Sequence, residues 1–183
     1  MSVISDGEII QEFKNPENRE RMFQELVNKY QERLYWHCRK ILIIHEDADD
    51  ALQNTFIKAW NSLTNFRADS ALFTWLFRIA TNESLTILKQ KKKRQNHSSV
   101  DEYTSNLSDH LTADSYFDGD EIQKKLQQAI ILLPEKQRLV FNMKYFDEMK
   151  YNDMAEVLGT SVGALKASYH HAVKKIENFM KDK

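Results

Sequence analysis

The sequence is poor in the residues that form tight turns, with only four glycines and two prolines among its 183 residues. Sheet-rich folds draw on those two residues at their many turns, so this scarcity argues for long helices. A single cysteine, Cys38, excludes an internal disulfide and suits a reducing compartment. Because Cys38 stands among apolar residues, we expect it to be a buried small hydrophobe.

Long apolar runs are also missing, which predicts that no segment inserts into a membrane. The early carboxylates Asp6, Glu8 and Glu12 differ from the basic start and apolar core of a signal peptide. Together with the cysteine usage, these two absences predict a cytoplasmic protein.

Neither sign of charge is in excess, since 26 Lys and Arg against 27 Asp and Glu give a net charge of −1. A uniformly basic coat for nucleic acid is therefore excluded, but the charges are unevenly distributed. Residues 95–120 contain six acidic residues, no Lys or Arg, and many Ser, Thr and Asn. This segment is predicted to be a flexible acidic linker. Residues 122–183 instead carry 11 basic and 7 acidic residues.

Apolar residues recur at steps of three and four through most of the remaining chain, which predicts amphipathic helices. One helix is expected from about Asn18 to Ile44, and a second begins at the carboxylates 46–50, which suit a helix start. A third is expected from about Ala71 to Arg94, and periodicity resumes at Ile122. The predicted buried stripe of the third helix is Leu72, Leu76, Ile79, Ala80 and Ile87.

The fold class that follows is all-α, with two small helical domains, residues 1–94 and 121–183, joined by the linker 95–120. The second domain has the local pattern of a helix-turn-helix. Asn152 is predicted to cap a short helix, Gly159 to end it, and Ser161 to cap the next helix. The buried side of that next helix is expected to comprise Val162, Leu165, Tyr169, Ala172 and Ile176.

The other side of this last helix carries small, basic and histidine side chains, namely Lys166, Ala167, Ser168, His170, His171, Lys174 and Lys175. A helix of this kind fits the DNA major groove, where Lys and His donate to guanine edges and phosphates. The alternative is a helical hairpin whose charged side is only solvated. The combination of caps, glycine and basic side favours DNA binding.

The third helix brings aromatic and basic residues together: Phe66, Phe73, Trp75 and Phe77 lie near Arg67 and Arg78, and the helix ends in Lys89, Lys91, Lys92, Lys93 and Arg94. Aromatic rings stack on unpaired bases, and cations beside them hold phosphates. Alternatively, the aromatic residues form core and the basic run is a solvated helix end that suits the helix dipole.

Three stretches resemble the extracytoplasmic-function group of sigma factors of the sigma-70 family. Residues 47–60 resemble the family's polymerase-docking helix. Phe66 and Arg67, followed by residues 73–82 and the basic run, resemble its minus-ten element helix. Residues 133–138, 155–159 and 162–166 resemble its minus-thirty-five domain. The resemblance implies a sigma factor that binds core RNA polymerase and directs promoter recognition, DNA melting and transcription initiation.

The resemblance also implies roles for individual residues. The polymerase-binding residues would be Asp50, Gln53, Asn54 and Trp60. The minus-ten element would be bound by Phe66, Arg67, Ser70, Phe73, Arg78, Asn82, Lys91, Lys92, Lys93 and Arg94. The minus-thirty-five element would be bound by Ser161, Lys166, Ala167, Ser168, His170, His171 and Lys174. Trp75 is assigned to packing. The implied partners are the clamp helices and flap of core polymerase, promoter DNA, and an anti-sigma factor of the kind that family members often have.

The recognition helix departs from the family pattern, since Ala167, Ser168 and His171 stand where members often have Ser and Arg. Fewer permanent charges are expected to weaken phosphate contacts. The segment 169–175 resembles a variant seen in members from Bacteroidetes.

Three other classes of protein are alternatives to a sigma factor. A helix-turn-helix regulator that acts without being a polymerase subunit would carry an alternating strand and helix receiver domain, which residues 1–94 do not suggest. An enzyme would need a phosphate loop, metal-spaced Cys and His, or a Ser-His-Asp set, and the sequence shows none. We therefore predict no catalytic residue, no metal and no cofactor. A helical adaptor that binds only proteins would not explain the basic run at residues 89–94 or the recognition-like helix.

Overall fold

The structure of the protein is a computed structural model that describes residues 4–94 and 120–181. Over these ranges it is entirely helical, which confirms the all-α prediction. The helices are α1 (Asp6–Glu12), α2 (Arg19–Leu42), α3 (His45–Ser62), α4 (Leu72–Arg94), α5 (Glu121–Ile131), α6 (Glu135–Tyr145), α7 (Tyr151–Leu158) and α8 (Val162–Lys181), with a 3-10 turn at Leu63–Asn65. None of these helices is long and apolar enough to cross a bilayer. The acidic segment predicted as a linker lies outside the described residues, apart from Asp120.

The chain divides into two compact units, Met1–Ile87 and Leu88–Lys183. In the first, α2 buries one stripe at helical spacing, which includes Leu26, Leu34 and Cys38. Small residues on α3, namely Ala48, Ala51, Thr55 and Ala59, are completely buried, so α3 approaches α2 closely. The stripe of α4 is confirmed at Leu72, Leu76 and Ala80, whereas Ile79 and Ile87 are only half-buried.

The short helix α1 was not predicted. Ser5 caps it, since its Oγ accepts the Glu8 N–H at 3.2 Å. Its first residue, Asp6, accepts the Tyr30 hydroxyl at 2.7 Å and the Lys29 ammonium at 2.6 Å. Burial, and then the hydrogen bond to Asp6, raise the pKa of Tyr30 well above its ordinary value of 10. The protonated phenol therefore fastens α1 to α2.

Replacing Tyr30 by Phe is expected to lower the free energy of unfolding by about 1.5–3 kcal/mol, because the substitution removes the hydroxyl that donates a hydrogen bond to the Asp6 carboxylate. Urea denaturation followed by circular dichroism measures the change. Tyr35→Phe is the matched control, since it removes only an exposed hydrogen bond to His45. Equal midpoints for the two variants would show that the Asp6 contact does not hold α1.

In the second unit, α5, α6 and α8 surround a core that contains Ile130, Phe141, Ala172 and Ile176. The predicted stripe of α5 is wrong at its start, because Ile122 is 68% exposed. Pro134 precedes α6 and so opens that helix. Asp120 caps α5 by accepting the Gln123 N–H at 2.8 Å.

The helix-turn-helix has the predicted local chemistry at Gly159 and Ser161 but not at Asn152. Gly159 ends α7 in the left-handed conformation, with φ 60° and ψ 40°, and the Ser161 hydroxyl accepts the Ala164 N–H at 3.2 Å. The prediction that Asn152 caps α7 is wrong. The helix begins earlier, at Tyr151, because the Lys150 carbonyl accepts the Met154 N–H at 3.0 Å.

Candidate nucleic-acid interfaces

Helix α8 separates its residues largely as the sequence predicted, although Val162 and Tyr169 of the expected buried side are only half-buried. Leu165, Ala172 and Ile176 are buried. The exposed residues include Ser161, Lys166, Ala167, His170, His171 and Lys174, whereas Ser168 is half-buried. The turn at Gly159 therefore presents a basic side of α8 to solvent, in the arrangement that places a recognition helix in a major groove.

Tyr151, the first residue of α7, belongs to this surface and was missed by the sequence analysis. The Nζ atoms of Lys144 and Lys166 lie 5.2 and 5.8 Å from its ring centroid. Lys144 also donates to the Met149 carbonyl at 3.2 Å. These cation–π contacts join α6, α7 and α8 and restrict the Lys166 side chain. No motif marks Tyr151, since only the fold brings the two lysines to it.

An aromatic stack holds α8 against α6. Phe141 lies between Tyr145 and Tyr169, with centroid distances of 5.1 and 5.8 Å and an interplanar angle of 14° on both sides. Burial raises the pKa of Tyr169, and the neighbouring Tyr151 and Tyr145 add to the rise. The stack fixes the rotation of α8, and so decides which of its residues are exposed.

In the first unit, residues 66–71 form a loop before α4 that contains three predicted minus-ten residues. Phe66 packs on Trp75, with ring centroids 5.0 Å apart. Trp75 is only 8% exposed, which confirms its assignment to packing. Arg67 is exposed and Ser70 is half-buried. Ala68 has φ 58°, a conformation that favours glycine, so the loop holds some backbone strain at this position.

The predicted minus-ten residues of α4 do not share one side of the helix. Arg78 and Asn82 are exposed, one turn apart, and Lys92 and Lys93 are exposed further along. Lys91 is half-buried, and the helix ends at Arg94. Phe73 stands nine residues before Asn82, which is about 180° around the helix. It therefore faces α2, against Tyr30.

The aromatic residues of α4 are mostly core, as the alternative interpretation had it. Phe77 is 1% exposed and lies between His37 and Phe73, with centroids 4.4 and 4.2 Å away. His37 is itself completely buried and hydrogen bonded to the Thr81 hydroxyl at 2.8 Å. Of the two interpretations that the sequence left open for Phe77, the structure supports core packing, since neighbouring side chains enclose the ring.

The predicted polymerase-docking residues of α3 differ in exposure to solvent. Asp50, Gln53 and Asn54 are exposed on one side, which surrounds an exposed apolar residue, Ile57. Ile57 was not among the predicted docking residues, although an apolar residue within this polar stripe is a signal that the sequence contains. Trp60 is half-buried: its ring meets Phe13 and Phe23 edge to face, and the Arg19 guanidinium lies over it.

Two helical units, one with an exposed helix-turn-helix, define a protein of the DNA-binding class. The Sigma-70 region 2 family matches residues 26–94, and the Sigma-70, region 4 family matches residues 123–176. The chain is 32% identical over 164 residues to the RNA polymerase sigma-H factor of Pseudomonas aeruginosa, which covers 86% of this chain and 85% of that protein. It is 28% identical over 169 residues to the ECF RNA polymerase sigma factor SigW of Bacillus subtilis, and the alignment covers 87% of this chain and 89% of that protein.

Solved structures show the same fold. The sigma factor RpoE of Bartonella quintana, in complex with the anti-sigma factor NepR, matches with a TM-score of 0.68 and 20% identity, over 88% of this chain and 98% of that one. CnrH, in complex with the cytosolic domain of CnrY, matches with a TM-score of 0.69 and 22% identity, over 96% and 97%. The chain belongs to the extracytoplasmic-function group of sigma-70 family RNA polymerase sigma factors, which direct transcription initiation. The resemblance to a Bacteroidetes variant stays a prediction.

Proposed function

We propose that this sigma factor reads its promoter with two separate domains, residues 1–94 and 121–183, once core polymerase holds them apart. The observation that supports this most directly is the exposed basic side of α8, presented by a glycine-ended turn. Docking sets the spacing of the domains to that of the promoter elements. The six carboxylates of residues 95–120 compete with DNA for the basic surfaces, so the free chain binds duplex weakly.

Helix α3 is the proposed contact to the polymerase clamp helices, and the second domain is the proposed contact to the flap. Asp50, Gln53 and Asn54 supply exposed polar groups, and Ile57 supplies apolar area among them. Trp60 is half-buried and acts chiefly by packing against Phe13 and Phe23. An apolar side chain ringed by polar groups is the usual composition of a binding hot spot.

Promoter opening is proposed to use the loop 66–71 and the exposed side of α4. Arg67 and Ser70 contact a flipped base of the non-template strand, and Phe66, which packs on Trp75, lies beside that base. Arg78 and Asn82 contact the nucleotides that follow it in the strand. Flipping costs a few kcal/mol, which edge contacts and stacking offset. Lys91, Lys92, Lys93 and Arg94 continue the basic surface toward the phosphates.

The minus-thirty-five element is proposed to lie against α8. Lys166 and His170 reach base edges, His171 and Lys174 reach phosphates, and Ser161, Ala167 and Ser168 allow close approach at the start of the helix. Lys166 and Lys174 carry the permanent positive charges among these residues, so affinity depends on fewer fixed charges than a row of arginines would give.

The chain is proposed to work in the cytoplasm, where core polymerase is, and to catalyse no reaction itself. It needs no cofactor and no metal for this role. An anti-sigma factor is a proposed additional partner, because the sigma factor RpoE, which has the same fold, has been solved in complex with the anti-sigma factor NepR.

The deciding experiment is in vitro transcription with purified core polymerase and genomic promoter fragments. Addition of the chain is expected to start transcripts at promoters that core alone ignores, and the chain is expected to co-purify with core. A helix-turn-helix regulator would instead bind its duplex tightly and specifically without polymerase. That result, with no affinity for core, would replace the proposed function.

Tyr151→Leu is expected to weaken duplex binding to the minus-thirty-five element by about fivefold, because Lys166 loses its cation–π contact, worth about 1 kcal/mol. Fluorescence anisotropy of holoenzyme on a labelled duplex measures the affinity. Tyr151→Phe keeps the ring and is the matched control, so it should bind like the wild type. Loss in both variants would assign the effect to the phenol hydroxyl instead.

A further inference from the structure

Phe73 is half-buried, and three side chains lie against its ring, with a guanidinium over one face. The Arg33 guanidinium carbon lies 4.0 Å from its centroid, and the Phe77 and Tyr30 centroids lie 4.2 and 6.0 Å away. A base that stacked on Phe73 would have to displace Arg33. The group that this part of the first unit offers to solvent is therefore the guanidinium, not the ring.

Arg33 itself is exposed on α2. Its guanidinium makes no hydrogen bond or ion pair with any residue in the ranges 4–94 and 120–181. The neighbouring cation, Lys29, is already paired with Asp6. A guanidinium over a ring keeps its planar N–H donors, and its outer side can stack on a base. Arg33 is thus a cation held in place by an aromatic ring but not neutralised by a described carboxylate.

The support beneath Arg33 extends to α1. Asp6 accepts a hydrogen bond from the Tyr30 hydroxyl, and the Tyr30 ring contacts Phe73. The Arg33 guanidinium lies over the Phe73 ring. Phe77 closes the other part of the ring from within the core. Each support is buried or half-buried, so the guanidinium is restricted before any ligand arrives.

We propose that Arg33 is a further contact to single-stranded non-template DNA, with Phe73 as its positioning residue. The inference rests on the proposed function of the loop 66–71. Phe73 lies in the first turn of α4, two residues after this loop, and it places Arg33 near the loop, where we expect a nucleotide next to a captured base to reach the guanidinium. The outer side of the guanidinium stacks on that unpaired base, and its N–H groups reach the adjacent phosphate.

The test uses holoenzyme and a fork probe, which is duplex upstream and single-stranded from the minus-ten element, taken from a promoter that the wild type transcribes. Arg33→Ala is expected to weaken probe binding by about tenfold, the usual effect of one stacking contact. Arg33→Lys keeps the positive charge but loses the planar guanidinium, so its affinity for the probe is expected to lie between those of Arg33→Ala and the wild type. Full recovery with Lys would overturn the stacking contact.

Arg21→Ala is the matched control, because Arg21 is an exposed arginine on another side of the same helix. It should bind the fork probe as the wild type does. Affinity for core polymerase and for a fully duplex minus-thirty-five probe should be unchanged in Arg33→Ala, which excludes a merely structural role. If Arg33→Ala and Arg21→Ala bind the fork probe equally, the inference fails. If the wild-type holoenzyme does not bind it, the proposed function fails instead.

Discussion

Reversal of charge at Asp50 is expected to lower the affinity for core polymerase by about 100-fold, the effect of losing a hot spot and gaining like-charge repulsion. Asp50 is exposed on α3 and stands on the same side as Gln53 and Asn54. In the proposed complex its carboxylate is desolvated against the clamp helices, so a lysine would leave a buried charge without a partner. Surface plasmon resonance with immobilised core measures the dissociation constant of Asp50→Lys.

The comparison that makes this result specific is Glu17→Lys, an equal reversal at an exposed residue between α1 and α2. It should bind core as the wild type does. Circular dichroism is expected to show the wild-type helix content in both variants. If Asp50→Lys and Glu17→Lys keep the same affinity for core, the exposed side of α3 is not the docking surface.

The second large effect is expected from Lys166→Glu combined with Asn82→Ala. Both residues are exposed, and they lie in different units of the chain. Each substitution removes one proposed promoter contact worth about 1–3 kcal/mol, and contacts that share no partner add. Initiation should therefore fall by at least about 30-fold, measured as full-length transcript from a cognate promoter under single-round conditions.

The single variants should fail at different steps. Lys166→Glu is expected to weaken the closed complex and to leave opening from it intact. Asn82→Ala is expected to leave duplex binding intact and to slow opening, which permanganate reactivity of unpaired thymines reports. The matched control is Lys181→Glu with Asn178→Ala, at exposed positions near the end of α8. Initiation by the test pair at the level of this control would contradict the assigned sites.

The sequence predicted the long helices well because their signals are local. Steps of three and four in α2 and α4 leave few other ways to bury so many apolar side chains. Helix α1 was missed for the opposite reason. It has seven residues, too few for a clear period, and it is held by the Asp6 contact to Tyr30, which lies 24 residues away in the chain. A short helix of this kind forms only where tertiary packing supports it.

Asn152 shows a second limit of local reasoning. Asn is a favoured capping residue, and its position before Asp153 suggested a helix start. The chain instead enters α7 at Tyr151, whose ring meets lysines from α6 and α8. The same contacts decide where Lys166 points. Neither the start of α7 nor the position of Lys166 could be derived without the neighbouring helices.

The aromatic residues of the first unit show most clearly what the sequence predicts and what only the tertiary structure decides. The sequence placed Phe66, Phe73, Trp75 and Phe77 together beside basic residues, and this clustering is correct. It could not say which rings are accessible, because a side chain's exposure depends on what packs over it. Only the fold buries Phe77, packs Phe66 on Trp75, and covers Phe73 with Arg33.

By itself, the sequence determined the helical class and the helix-turn-helix, since both depend on spacing, capping and composition within short windows. The family entered through the resemblance of three stretches to its motifs. The tertiary structure decided which candidate residues reach solvent and which support them, as with Arg33 over Phe73 and Lys166 over Tyr151. These outcomes depend on contacts between residues far apart in the chain, which a one-dimensional pattern does not contain.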